Sequence, residues 1–342
     1  MAATKKEPKT DSLEPAPEPL DRFKSALRLM AKDDQVIGVA VSGGPDSIAL
    51  LLLAAAARPG MVEAATVDHR LREESGAEAE MVAALCKTLG VPHETLAIDW
   101  AEKPTSALQE QARIRRYQEL AGWAKRRNIT FLATGHHADD QAETLLMRLV
   151  RGSGVRGLGA IRVFRKLPGT DVMLGRPLLN WTKKELEAIC ADAAIEPALD
   201  PGNTDPAFER VRMRQMLEAS DWLDPLGLAK SAALLSQADQ ALNWAARQEW
   251  EKRVKEDSEV FTLDQSGLPN EITRRLVSGI VARLGTEGRK AELRGRELDR
   301  LMAALLKGGK ITLRGVLCRG GERWQFARAP QRKSASPRAK SA

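Results

Sequence analysis

Between residues 21 and 151 short runs rich in Val, Ile and Thr alternate with longer stretches in which apolar residues recur at helical spacing. The pattern predicts helices over 22–31, 47–57, 77–89, 106–127 and 139–151 and strands over 36–41, 62–67, 93–98 and 129–134. Strands that alternate with helices form a parallel sheet covered on both faces, so the expected class is α/β. In such sheets ligands bind beyond the carboxyl ends of the strands. The chemically loaded stretches fall there: SGGPDS after the first strand, DHRLR after the second and TGHHADD after the fourth.

After residue 180 the pattern changes. WTKKELEAICADAAI reads as a helix, DPGNTDP as a connector and residues 209–217 as a strongly basic helix start. Beyond residue 221 further helices are expected, and ITLRGVLCRGGERWQFARA alternates like a small hairpin around Gly320 and Gly321. A boundary near residue 220 divides a main domain over 21–220 from a smaller, mostly helical domain over 221–327. The ends, 1–20 and 328–342, are Pro, Ser, Ala and charge with little to bury, and are expected to be disordered.

Composition narrows the class. With 342 residues, 43% hydrophobic and 29% charged, the chain suits two cores in a globular protein. No apolar run reaches the roughly 18 residues of a membrane span, and the N-terminus lacks the apolar segment of a signal peptide. Cys86, Cys190 and Cys318 are widely spaced with no C-x-x-C, as in reduced cytosolic thiols. A cytoplasmic location is expected. The net charge of +7 comprises −1 in residues 1–20, +5 in residues 328–342 and +3 in the body. That is compatible with a polyanionic partner without requiring one.

Ser42-Gly43-Gly44-Pro45-Asp46-Ser47 places glycines where backbone amides can approach a ligand, then opens a helix whose N-terminus attracts anions. A carboxylate in such a cradle repels phosphate unless Mg²⁺ lies between them, which gives Asp46 its reason. G-x-x-x-x-G-K-[ST] and G-x-G-x-x-G are both absent. The stretch instead resembles the SGGxDS pyrophosphate loop of the N-type ATP pyrophosphatases, a Rossmann-like fold of the HUP class. TVDHRLREES, QEQARIRRYQEL, TGHHADDQAETLLMRLVRGSGVRGL and GRPLL followed by DPGNTDPAFERVRMR resemble the successive motifs of the tRNA(Ile)-lysidine synthase family, over about residues 36–214. Two departures stand out: Val211 and Met213 occupy an Arg-rich stretch where the family has an Asn, and Gly202 precedes Asn203 where a hydroxyl residue is usual.

The resemblance implies a ligase that uses ATP and Mg²⁺ to join L-lysine to carbon 2 of the wobble cytidine of a CAU anticodon in tRNA(Ile). The route it implies is an adenylated cytidine, with release of pyrophosphate and then AMP. Ser42, Gly43, Gly44, Pro45 and Ser47 are then expected to hold phosphates, with Asp46 as the metal ligand. Asp140 and Glu143, at i and i+3 on one helix face, are expected to hold the amines of lysine. Arg113 is expected at the lysine carboxylate or the intermediate, as a two-pronged partner. His136 is a candidate contact to nucleotide or base, and the general base is unassigned. Arg148, Arg151, Arg156, Arg210, Arg212 and Arg214 are expected to track tRNA phosphates, with the appended domain also on the tRNA. Monomer and homodimer both stay open. The rivals are a tRNA thiolase on the same scaffold, another adenylating enzyme of the PP-loop type, and a non-catalytic tRNA-binding protein.

Overall fold

A computed structural model describes residues 13–70, 74–100, 108–198, 207–285, 293 and 295–330. Most of both expected tails, the DPGNTDP connector with Gly202, Leu71 and Arg72 of DHRLR, and the start of the helix expected at 106 lie outside the described residues. By internal contacts the chain divides into two compact units, Met1–Ser236 and Gln237–Ala342.

The first unit contains α1 (Pro17–Arg28), β1 (Ile37–Ala40), α2 (Pro45–Ala57), β2 (Val62–Asp68), α3 (Glu74–Thr88), β3 (His93–Ala97), α4 (Leu108–Arg126), β4 (Phe131–Thr134) and α5 (Ala138–Val150). It continues through α6 (Val155–Leu158), β5 (Phe164–Lys166), β6 (Met173–Gly175), α7 (Lys183–Asp192), α8 (Glu209–Glu218) and the first part of α9 (Pro225–Arg253). Its six strands lie in the order β3-β2-β1-β4-β6-β5, with every neighbouring pair parallel except β5 and β6. The strands β5 and β6, three residues each, are additions to the expected sheet. Segments that short carry no readable alternation.

Alternation along the strands feeds two cores. Val39, Phe131 and Ala133 face α1, α2, α3 and α7, where Phe23, Leu50, Val82 and Leu186 are buried. Leu132, Leu174 and Leu96 face α4, where Leu120 and Trp123 are buried. The helix α2 is buried from Ser47 through Ala54 because it is apolar on all sides, and each fully buried Leu contributes about 1.5–3 kcal/mol.

Chain order reverses at β1: β2 and β3 lie to one side, and α4 carries the chain across to β4 on the other. In β1, Ala40 is level with Thr134 of β4. Ser42 and His136 therefore leave the sheet side by side at its carboxyl edge, which is where an open α/β sheet forms its crevice. The two strand ends approach closely. A Cβ on Gly135 would lie 2.8 Å from the backbone oxygen of Asp46 and 3.1 Å from the nitrogen of Ser47.

The second unit holds the rest of α9, β7 (Val254–Asp257), β8 (Val260–Leu263), α10 (Asn270–Leu284), α11 (Gly295–Leu306), β9 (Lys310–Leu313), β10 (Val316–Arg319) and β11 (Trp324–Arg328). The hairpin expected near Gly320 is β10–β11, pairing Cys318 with Phe326. It belongs to a five-stranded antiparallel sheet, β7-β8-β11-β10-β9, whose Leu263, Trp324 and Phe326 pack with Val277 and Ile280 of α10. Among the described residues no helix is long and apolar enough to cross a membrane.

The contact at Gly135 involves backbone, which cannot swing aside. Gly135→Ala is expected to cost about 1–3 kcal/mol of stability in urea titration. A midpoint equal to that of the parent chain would mean that the strand ends are not packed this tightly.

Candidate active site

The loop after β1 is curled by its own hydroxyls. Ser47 Oγ accepts from the Ser42 amide at 3.0 Å, lies 3.2 Å from Ser42 Oγ and donates to the Gly44 carbonyl at 2.9 Å. Ser47 is thus engaged in shaping the turn. Gly43 takes a left-handed conformation, φ 90°, in a space bounded by Met81, Glu78 and Ala198, and its carbonyl accepts from the Ala198 amide at 2.9 Å. Gly44 caps α2 without a side-chain hydrogen bond and Pro45 starts the helix. The result is a bare helix N-terminus aimed out of the sheet, an anion-binding arrangement.

Asp46, in the first turn of α2, has one oxygen, Oδ1, that is buried without a hydrogen-bond partner. Its other oxygen lies 3.4 Å from His137 Nε2. A leftover carboxylate oxygen beside a phosphate cradle suits a divalent cation shared with the phosphates, so the residues fit Mg²⁺.

His137 is buried and joins this loop to α5. Its Nδ1 lies 3.2 Å from Asp139 Oδ2, and its Nε2 lies 3.6 Å from Asp140 Oδ2 as well as near Asp46. Burial works against its charge, yet the Asp139 hydrogen bond with Asp140 and Asp46 raises it to about 10, so it is a cation at neutral pH. Asp139 is held by the Lys183 amide at the start of α7, 2.9 Å away. His136, next door, has the opposite character. Burial first, then Arg176, Arg116 and Arg113, pushes it well down against the pull of Asp140, and its Nδ1 is 3.0 Å from Thr134 Oγ1. It is a neutral imidazole.

Asp140 and Glu143 do share one face of α5, and neither points to bulk solvent. The Glu143 side chain is 1% exposed and that of Asp140 15%. Arg210 of α8 donates Nε to Glu143 at 2.6 Å and a terminal nitrogen to Asp140 at 2.8 Å, and Arg214 donates Nε to Glu143 at 2.8 Å. The other Asp140 oxygen accepts from the His137 amide at 3.1 Å. Burial alone would raise the Asp140 carboxyl, but His137 and Arg210 hold it below the usual carboxylate range. The phosphate cradle, a metal-ready carboxylate and an acid pair that already holds cations therefore meet at one edge of the sheet.

Known proteins carry the same plan. Residues 19–220 match the PP-loop domain family. The chain is 44% identical over 301 residues to a tRNA(Ile)-lysidine synthase from Zymomonas mobilis, covering 87% of this chain and 90% of that one. It is 44% identical over 317 residues to its counterpart in Novosphingobium aromaticivorans, covering 92% and 94%. The chain belongs to the tRNA(Ile)-lysidine synthase family. It is accordingly an ATP-using enzyme with a PP-loop domain. Among solved structures, a U34-tRNA thiolase from Methanococcus maripaludis shares the fold, with a TM-score of 0.53 at 17% identity over 64% of this chain and 79% of that one.

Within this lysidine synthase scaffold the residues expected at RNA fall into different settings. Arg148 folds its own segment, donating to the carbonyls of Gly157 at 2.6 Å and Ala160 at 2.9 Å. Arg151 pairs with Glu209 and stays exposed. Arg156 and Arg212 are exposed, Arg212 also donating to the Ala207 carbonyl at 3.0 Å. Arg210 and Arg214 lie on the acid pair. Arg113 lies on the ring of Tyr117, away from Asp140 and Glu143 in the contacts it makes. In the sequence His137 is marked only by an adjacent histidine and by the two aspartates of HHADD.

Ser47→Ala removes the three hydrogen bonds that close the loop. ATP affinity measured by titration calorimetry is expected to fall about fivefold, one hydrogen bond to a shaped loop being worth about 1 kcal/mol. Unchanged affinity would remove Ser47 from the cradle.

Proposed function

We propose that this enzyme ligates L-lysine to carbon 2 of the wobble cytidine in the CAU anticodon of tRNA(Ile), in the cytoplasm. The observation that supports it is His137: its buried ring lies 3.4 Å from the carboxylate of the phosphate loop and 3.6 Å from a carboxylate of the acid pair. ATP and a cationic substrate bound at those two places lie in one crevice.

The loop amides and the N-terminus of α2 receive the β and γ phosphates of ATP. Asp46 would hold Mg²⁺, which would supply positive charge against the departing pyrophosphate. The carbon-2 carbonyl oxygen of cytidine attacks the α phosphorus, forming a P–O bond as the bond to pyrophosphate breaks. The ε-amine of lysine then attacks carbon 2, a C–N bond forms, and AMP leaves with the oxygen. Lysine arrives protonated, since its amine has a reference pKa near 10.4, and must lose that proton first. His136 is held neutral by burial and three arginines, which suits a hydrogen bond to nucleotide or base better than storage of that proton.

Asp140 and Glu143 are the acids assigned to the amines of lysine. Their bonds to Arg210 and Arg214 show the pair's affinity for cations, and lysine binding exchanges a guanidinium for an ammonium. The exposed Arg151, Arg156 and Arg212 are assigned to tRNA phosphates.

Labelled lysine is expected to enter unmodified tRNA(Ile) in an ATP-dependent manner, with tRNA(Met) as the rejected control. Asp46→Ala is expected to abolish pyrophosphate release. Glu143→Gln is expected to raise the KM for lysine more than tenfold, a charge-assisted bond being about twice as strong as a neutral one. Incorporation of sulfur or ammonia in place of lysine would move the assignment to another PP-loop activity.

A further inference from the structure

Tyr117 is the only tyrosine of the chain, and α4 delivers it, 8% exposed, into a ring of arginines. The guanidinium carbons of Arg165, Arg116 and Arg113 lie 4.6, 5.3 and 5.4 Å from its ring centre. Arg176, which follows β6, is 3% exposed and lies beside the phenol while donating to the Arg162 carbonyl. Four cations from α4, β5 and the end of β6 thus converge on one aromatic side chain.

Among the described residues none of the four makes an ion pair with a carboxylate. The side chains that act most strongly on Arg113 are Tyr117, Arg116, Arg165 and Arg210, and those on Arg176 are Tyr117, Arg165 and Arg113. Asp140, the acid that faces neighbouring His136, is held by Arg210 and His137. Three buried polar atoms here have no partner of ordinary hydrogen-bond geometry: Arg165 Nε, Arg176 Nε and the Tyr117 hydroxyl. The cluster grades from exposed Arg113 through half-buried Arg116 and Arg165 to buried Arg176, so it is reachable from solvent. Buried guanidinium donors without a carboxylate partner suit an oxyanion with several acceptor lone pairs.

We propose that Arg113, Arg116, Arg165 and Arg176, seated around Tyr117, form a pocket for a backbone phosphodiester of the RNA substrate next to the target nucleotide. This rests on the function proposed above, and it moves Arg113 from lysine to RNA. The place in the sheet distinguishes the pocket from the ATP site: Arg176 ends β6, two strands from β1, roughly 10 Å along the sheet at the usual strand spacing. A lysine carboxylate needs one two-pronged arginine, whereas this cluster has four, a density of positive charge suited to a polyanion.

The test measures binding of the full chain to an anticodon stem–loop RNA bearing CAU over a series of KCl concentrations, without ATP. The RNA is used intact and with a single uncharged methylphosphonate linkage on either side of the target cytidine. Arg116→Ala and Arg165→Ala are each expected to weaken binding about tenfold and to reduce the salt slope by about 1. One methylphosphonate RNA is expected to weaken binding by the parent chain comparably and to cost the variants nothing further. Arg165→Lys, which keeps the charge, is expected to restore most of the slope, separating phosphate contact from misfolding. Unchanged slopes in both Ala variants, or variants as sensitive to the methylphosphonates as the parent, would overturn the pocket. So would weakened lysine binding with RNA binding intact, which would mark a carboxylate site. A parent chain that binds none of these RNAs would instead sink the proposed function itself.

Discussion

The active edge of this enzyme depends on pairing buried carboxylates with cations. Glu143 and Asp140 are withdrawn from water on α5, and an ionised carboxylate buried without a partner costs about 3–5 kcal/mol. Arg210, Arg214 and His137 supply the opposite charge, from α8 and from the N-terminal end of α5 itself. The same His137 reaches Asp46, so the charge balance of the acid pair and that of the phosphate loop are one balance. Few positions near it can change sign without disturbing both.

Two adjacent histidines acquire opposite roles from this arrangement. His137 sits among three carboxylates and carries a proton at neutral pH, while His136, one residue earlier, faces Arg113, Arg116 and Arg176 and stays neutral. The difference lies in the neighbours: His137 has Asp46, Asp139 and Asp140 within 3.6 Å, whereas His136 feels Asp140 together with three arginines. An acid pair bonded to arginines and a cluster of arginines around Tyr117 thus both lie near one strand end.

The close approach of β1 and β4 gives this seam its geometry. Ala40 and Thr134 are level, and Gly135 brings backbone against the first turn of α2. The loop hydroxyl of Ser47 is spent on the turn itself. Stability and function are coupled here because the same backbone contacts set both.

The sequence by itself determined the α/β class, the position of the phosphate loop and the shared face of Asp140 and Glu143. Those features are local: period-2 and period-3.6 patterns and a Gly-rich strand-to-helix turn need only neighbouring residues to be read. Strands β5 and β6 escaped because three residues show no period, and the antiparallel sheet of the second unit escaped beyond its one glycine-marked hairpin because strands of four or five residues without a tight turn give little signal. Only tertiary structure decided which cations meet which anions. Arg210 and Glu143 are 67 residues apart, and Arg176 reaches Tyr117 from the end of another strand. Charge pairing across such separations follows from how the sheet and helices pack, so the assignment of Arg210 to the acids and of Arg113 to Tyr117 becomes visible only when the chain is folded.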